Sequence, residues 1–404
     1  MKPLAVTACT VVSALGAGLA PTAAALQAGR TGLVQQDFES AALGTWLGVV
    51  AGVDQVRLKP ELQAFDCRNN RLAELGLRAD GFGDSVQAAS QRFGAHRVGV
   101  FLGTSTSGIL QTELAYRQRG GVSGALPASL HYAHTHNTYS VARYVRAALG
   151  LAGPAHVVST ACSSSAKVFA TAARMIEAGW VDAAVVGGVD SLCLTTLYGF
   201  KSLELLSAQV CRPWDEQRDG LSLGEAAAFA LLQRNPEGAE GAKGAEGAVQ
   251  AWLLGAGESS DGHHMSSPHP QGAGAAAAMR AALADAGLAP TEVDYLNLHG
   301  TGTPGNDAAE DQAVCAVFGP QLPCSSTKGY TGHTLGAAGG VEAVIAMWAL
   351  QQGFMPAGLH VQQLDPSLRC HYLQAPRHQK LRVVASNSFG FGGSNACLLF
   401  GAAS

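Results

Sequence analysis

Apolar residues fall along this chain in two alternating patterns. Short, almost unbroken runs (Leu4 to Thr10, Val98 to Leu102, Ala183 to Gly187) have the length and content of buried strands. Between them lie stretches of helical period. Val168, Phe169, Ala172, Met175 and Ile176 repeat at i, i+3 and i+4, which predicts a helix from just after Cys162 to near Gly179. Val157 and Val158 lead into its turn, and Leu221 to Leu232 closes a first half. The alternation then resumes with an Ala-rich helix over Gly274 to Gly287 and a strand, Tyr295 to His299, that ends in a histidine. A helix Asn306 to Phe318 with Asn306 as N-cap, a helix Leu335 to Gln351, and two strands about a Gly-rich turn between Val383 and Phe400 complete the pattern.

Strands alternating with helices predict an α/β fold, a mostly parallel sheet covered on both faces. The two halves echo each other. A small-residue turn precedes an Ala-rich helix in each: Cys162-Ser-Ser-Ser-Ala166 in the first and Gly332-His-Thr-Leu-Gly-Ala-Ala338 in the second. This suggests a duplicated unit. A polar, glycine-rich stretch from Asn235 to Gly247 reads as a surface loop or linker and divides the chain into residues 1–248 and 249–404. At the start, Lys2 precedes an apolar run and Ala23-Ala24-Ala25 imitates the cleavage site of a secretory leader. With no further positive charge before that run, the stretch is read instead as a first strand, a turn at Gly16 and Gly18, and a helix. That helix holds Pro21 near its first turn and ends near Gly29.

Composition narrows the partners. Hydrophobic residues make up 47% of the 404 and charged residues 14%, which suits a large core and a buried subunit interface. A net charge of −4 without a basic block argues against nucleic acid. Nine cysteines, scattered from Cys9 to Cys397 with no Cys-x-x-Cys pair, fit neither a disulfide framework nor a zinc site. A reducing, cytoplasmic setting is therefore expected. No run reaches the ~18 apolar residues of a membrane span.

Cys162 stands at the start of a helix, where unpaired backbone N–H groups favour a thiolate, and its neighbours Ala161, Ser163 and Ser164 leave room for a substrate. Its plain alternative is a small buried residue that packs well. His299 opens His299-Gly-Thr-Gly-Thr-Pro304, and His333 lies in Lys328-Gly-Tyr-Thr-Gly-His-Thr-Leu-Gly-Ala-Ala-Gly-Gly-Val-Glu342. Either histidine alone reads as a core side chain. Two in Gly/Thr turns at the ends of α/β elements point to a ligand site, which in such sheets lies at strand C-termini. Asn387-Ser-Phe-Gly-Phe-Gly-Gly-Ser-Asn395 can present backbone N–H groups to an oxyanion, or serve only as a glycine turn. It is no phosphate loop, because no Lys-Ser/Thr pair follows its glycines.

Together these motifs resemble the β-ketoacyl-acyl carrier protein synthases, condensing enzymes of the thiolase superfamily. The likeness rests on Thr160-Ala-Cys-Ser-Ser164, Pro213-Trp-Asp215 with Arg218-Asp-Gly220, Gly224-Glu225, His299 to Thr303, Lys328 to Glu342 and Asn387 to Asn395. These stand in the family's order over nearly the whole chain. It implies a thiolase-like fold of duplicated halves in α-β-α-β-α layers, the nucleophilic cysteine in residues 1–248 and the two histidines in 249–404. By the same likeness Cys162, His299 and His333 are catalytic, with Lys328 and Glu342 supporting them. The Cys162 and Phe391 backbone N–H groups form the oxyanion hole, and Phe391 is a gate. Thr301, Thr303, Phe389, Gly108 and Ile109 bind pantetheine or acyl chain. The partners implied are acyl and malonyl carrier proteins and a second subunit, either this chain again or a chain-length-factor-like one. No cofactor or metal is expected, because decarboxylation supplies the carbanion. Lys328 is read as an electrostatic group in a polar network rather than a Schiff base. Asp261 to Pro268, with His263 and His264, falls where a second mobile loop would be and is read as solvated rather than metal-binding.

Three segments depart from the family pattern: Gly224-Glu-Ala-Ala-Ala228, Gly103-Thr-Ser-Thr-Ser-Gly-Ile109 and the polar His134-Thr-His-Asn-Thr-Tyr-Ser140. A polar lining of the acyl pocket would suit a conjugated or aromatic chain, as in aryl-polyene and related pigment pathways. The competing readings are a non-catalytic chain-length subunit, which loses the cysteine, and a degradative thiolase, which needs a second cysteine near the C-terminal Gly-rich segment. Cys397 lies beyond that segment in an apparent strand and is read as core. A Cys-His-Asn site through Asn387 or Asn395 is disfavoured by His333, and no Gly-x-Ser-x-Gly elbow marks a serine hydrolase.

Overall fold

The computed structural model describes residues 1–121, 123–234 and 249–403. The whole Asn235–Gly247 linker therefore lies outside the described residues. The two halves repeat one strand order. From one edge, the first runs Ala155–Val158, Val98–Gly103, Ala183–Asp190, Ala226–Gln233 and Leu4–Ser13. From the other edge, the second runs Cys324–Ser325, Tyr295–Asn297, Val383–Gly390, Ser394–Ala402 and Ala251–Ser260. In each half the outer three strands are parallel and the next pairs antiparallel. The halves join where Leu4–Val6 pairs antiparallel with Ala251–Leu253. Leu4–Ser13, the leader-like stretch, is thus an interior strand of the sheet.

Period-two alternation explains why the strands read as continuous apolar runs. In Ala226–Gln233, Ala226, Ala228, Ala230 and Leu232 face one core, while Ala227, Phe229 and Leu231 face another. Ala396, Leu398 and Phe400 share the first core, and Cys397 and Leu399 face a third. Both faces are buried, so both alternate sets are apolar. The shared middle layer is the helix pair Ser164–Glu177 and Ala338–Gln352, which touches strands of both halves. From Ala338 to Leu350 the second of these helices is buried on all sides, and its sequence there is apolar but for Glu342. Outside lie Arg68–Arg78, Phe82–Phe93 and Ser140–Ala148 over the first half, and Ala273–Ala286 and Pro304–Phe318 over the second. This is the α-β-α-β-α order.

Glycine sets how closely the middle layer seats. A Cβ on Gly103 would lie 2.3 Å from the Ser165 nitrogen, and one on Gly188 2.6 Å from the Ser165 Cβ. Two neighbouring strands therefore receive the first turn of the helix that follows Cys162.

Candidate active site

The strand Ala155–Val158 ends four residues before Cys162, and the helix begins two residues after it. Ala161 takes φ +51°, a left-handed conformation that reverses the chain and turns the cysteine inward. Hydroxyls hold this turn: Ser163 Oγ donates to the Thr160 carbonyl at 2.9 Å and Ser164 Oγ to the Ala161 carbonyl at 2.6 Å. His333 arrives from the second half, its amide donating to the Ser222 carbonyl at 2.7 Å and its carbonyl accepting from Gly224 at 3.0 Å. Its Nε2 lies 3.0 Å from Cys162 Sγ. His299 stands edge-on to it, ring centroids 5.3 Å apart and planes 85° to one another. All three side chains are buried.

His299 lies just past the strand, which ends at Asn297 rather than at the histidine. A carboxylate not foreseen from the sequence holds it there. Glu310 accepts the amides of His299 and Gly300, each at 2.8 Å, and Asn387 Nδ2 at 3.1 Å. Its helix starts at Pro304 with Thr303 as N-cap, not at Asn306, because proline fits the first helical position. Asp307, Glu310, Asp311 and Val314 recur at i, i+3, i+4 and i+7, and that acidic row inside an apolar pattern was the available signal. Asp307 in turn accepts the Trp214 amide at 3.1 Å and lies 3.4 Å from Arg218 Nε. Trp214 and Arg218 of the recognised tryptophan and arginine motifs thus brace the loop that presents His299.

Lys328 lies close enough for its charge to act on both imidazoles. Its ammonium donates to Glu342 and to the His299 carbonyl, and meets His299 Nδ1 at 3.4 Å. Burial pushes Glu342 up to about 7 while Lys328 opposes that rise. Both imidazoles are held well below the ordinary histidine range, first by burial and then by the Lys328 charge, so both are neutral. The thiol departs from the helix-start expectation. Burial pushes Cys162 up to about 12, outweighing Lys328 and the Phe391 backbone N–H, which favour the thiolate.

A pocket opens onto this group. Thr301, Thr303, Phe389 and Phe391 line it together with Cys162, His299 and His333. Phe391 meets Phe200 across it, ring centroids 5.5 Å apart. Ser266, Ser267 and Pro268 of the Asp261–Pro268 loop also line it, and Gly392 donates to the Met265 carbonyl at 2.7 Å, so the two loops are tied together. His263 and His264 are exposed, and His264 Nδ1 accepts its own loop's amides at Ser266 and Ser267. Gly108 and Ile109 do not line the pocket. Ile109 packs on the Leu110, Leu192 and Leu335 cluster. No side chain of the polar His134–Ser140 segment lines it either: the Thr135 carbonyl instead accepts Gly108 N and Ser107 Oγ, each at 3.0 Å. The Thr135 hydroxyl donates to the His131 carbonyl and the Ser140 hydroxyl to the His134 carbonyl, so these polar side chains hold a turn. Cys162, His299 and His333 offer ligand atoms close enough to share an ion, as do Asp311, Cys315 and Cys370. Among the described residues no helix is long and apolar enough to cross a membrane.

Two family models match the chain: the β-ketoacyl synthase N-terminal domain over residues 77–238 and its C-terminal domain over 250–362. The 3-oxoacyl-[acyl-carrier-protein] synthase 2 of Vibrio cholerae is 32% identical over 99% of both chains. The chain belongs to the β-ketoacyl synthase family. Its members are condensing acyltransferases. A mitochondrial 3-oxoacyl-[acyl-carrier-protein] synthase from Arabidopsis thaliana is 39% identical over 62% of this chain and 57% of its own. Among solved structures, a chain of the ketosynthase (ApeO) and chain length factor (ApeC) complex from Xenorhabdus doucetiae is similar. Its TM-score is 0.88 at 36% identity, covering 99% of this chain and 98% of that one. A chain of the ishigamide ketosynthase/chain length factor gives 0.90 at 26% identity, covering 100% and 99%.

Proposed function

We propose that this β-ketoacyl synthase is the catalytic ketosynthase of a carrier-protein pathway, with Cys162 as its nucleophile. The 3.0 Å approach of His333 Nε2 to Cys162 Sγ, beside a second neutral imidazole, carries the reading. Cys162 sulfur attacks the acyl thioester. Its proton passes to the departing carrier thiolate, directly or through His333, and the acyl chain stays on sulfur. The Cys162 and Phe391 N–H groups hold the oxyanion. A malonyl thioester then loses carbon dioxide while the His299 and His333 N–H groups stabilise its enolate. The carbanion attacks the acyl carbonyl and expels the Cys162 thiolate, leaving a chain two carbons longer. In this scheme Thr301 and Thr303 meet pantetheine and Phe391 with Phe200 gates the entrance.

Residues 1–248 would supply the nucleophile and 249–404 the two histidines, so the pocket is a product of both halves. For the second subunit we propose a chain-length-factor-like partner. The support is the likeness to chains solved as ketosynthase/chain length factor pairs. The partly exposed Ala155–Val158 strand, paired on one side only among the described residues, offers an edge to which a partner can add a strand. An aryl-polyene or polyketide product is the pathway reading that goes with such a partner. Intact-protein mass spectrometry after incubation with defined acyl carrier proteins tests the scheme. An acyl adduct present on the native chain and absent from Cys162→Ala is expected. No adduct with any starter, with or without a co-expressed partner, overturns it.

A further inference from the structure

Asp190 ends the strand Ala183–Asp190 fully buried, with no cation among its hydrogen-bond partners in the described residues. Its carboxylate is solvated by donors from two distant segments. From the first come the hydroxyls of Thr104, Ser105 and Thr106, at 2.6, 2.5 and 2.9 Å, and the amides of Ser105 and Thr106, each at 2.9 Å. From the second comes the Gly336 amide, 2.6 Å from Oδ2. That amide follows Leu335, a buried residue at φ +54°, where a leucine is strained. Leu335 stands two residues after His333 and opens the turn that leads into the central helix. Gly336 has no room for a side chain: a Cβ there would lie 2.6 Å from Asp190 Oδ2 and 2.7 Å from the Ser105 nitrogen.

A buried carboxylate is costly unless donors surround it, and a strained turn persists only where its surroundings over-determine it. Each condition meets the other here. We infer that Asp190 is the positioning residue of this active site, its carboxylate clamping the strained Leu335 turn to the Thr104–Thr106 segment and so fixing His333 against Cys162. The inference rests on the proposed roles of those two residues. Asparagine at 190 would turn an NH2 group either toward the Gly336 amide and the Ser105 donors, which meet Oδ2, or toward the Thr104 hydroxyl and the Thr106 donors, which meet Oδ1, and so release one side of the clamp. The negative charge also raises the Cys162 thiol, beside Glu342 and against Lys328, so its removal has a second signature.

The test compares the native chain with Asp190→Asn, Asp190→Glu and Ser105→Ala. Iodoacetamide alkylation of Cys162 against pH needs no acyl substrate, so it stands even if the ketosynthase reading fails. For Asp190→Asn the rising limb is expected to move to lower pH as the thiol ionises more readily. Acyl transfer is expected to lose about tenfold or more in kcat with KM little changed, since a displaced His333 affects the reaction and not binding. Asp190→Glu is expected to restore the alkylation profile and not the rate. A folded Asp190→Asn with native profile and native kcat overturns the inference. Should that variant not fold, Ser105→Ala, which removes one hydroxyl and leaves the amide and the negative charge, is read by kcat and KM, a loss of kcat being expected with the alkylation profile unchanged. Native kcat in that variant overturns the inference as well.

Discussion

The Lys328 ammonium and His299 Nδ1 stand 3.4 Å apart, and this contact decides which ring nitrogen of His299 serves the pocket. An ammonium has donors only, so Nδ1 must accept and the proton must sit on Nε2. His299 then presents an N–H to the pocket it lines. Lys328 sets a tautomer, and Glu342 accepts a hydrogen bond from the same ammonium.

The Lys328–Glu342 pair is buried on both sides, at 1% and 3% side-chain exposure. Removing one partner strands the other charge, at about 3–5 kcal/mol, whereas replacing both by apolar groups costs far less. Urea unfolding is expected to show Lys328→Met strongly destabilised. Lys328→Met with Glu342→Met should be more stable than that single variant. Equal losses in the two would show that Glu342 carries no charge beside the lysine.

Neutral imidazoles give a second expectation. Because folding depresses His299 and His333 below the ordinary value of 6.5, the unfolded chain binds protons that the native one refuses once pH falls below 6.5. These two residues therefore stabilise the fold above 6.5, and that contribution fades as pH drops. By NMR, their Hε1 shifts are expected to stay flat from about pH 8 to 5.5 while exposed histidines titrate. A midpoint near 6.5 for either residue would contradict it.

The thiol gives a third. With Cys162 raised to about 12, its alkylation rate should climb about tenfold per pH unit from neutrality and show no plateau near the ordinary value of 9.0. A plateau at or below 9.0 would mean that the helix start and Lys328 outweigh burial after all.

The sequence was most legible where local chemistry and global fold agree. Gly29 and Gly287 end helices in the left-handed conformation, where the patterns placed helix ends. The runs Val98–Leu102 and Ala183–Gly187 are strands because both faces are buried. Motifs located Cys162, His299, His333, Lys328 and Glu342, and the fold brings these five together from segments far apart in the chain. Glu310 and Asp190 were missed because their role is a set of distances between segments. No local pattern announces that one carboxylate caps a histidine loop or that another clamps a turn. The helices Arg68–Arg78, Phe82–Phe93 and Ser140–Ala148 escaped for a different reason. They cover one outer face, and polar residues interrupt their apolar stripes. The upward push of burial on the Cys162 thiol was not legible, because helix-end chemistry is local while desolvation is set by everything packed around the site.

Phe391 is the last expectation. Its ring leans on Phe200 at the pocket and its loop is tied through the Gly392 amide to Met265, so this loop joins three segments at the entrance. Its backbone N–H reaches Cys162, a contact that truncating the side chain leaves in place. Phe391→Ala should therefore open the pocket without unmaking the oxyanion donor. Iodoacetamide is expected to alkylate Cys162 several-fold faster in this variant with the shape of the pH profile unchanged. A gate moves access, whereas a group acting on the thiol moves ionisation. Faster alkylation with a shifted profile would show that the ring tunes the thiol by burying it. No change in rate would show that the Phe200–Phe391 contact does not restrict entry.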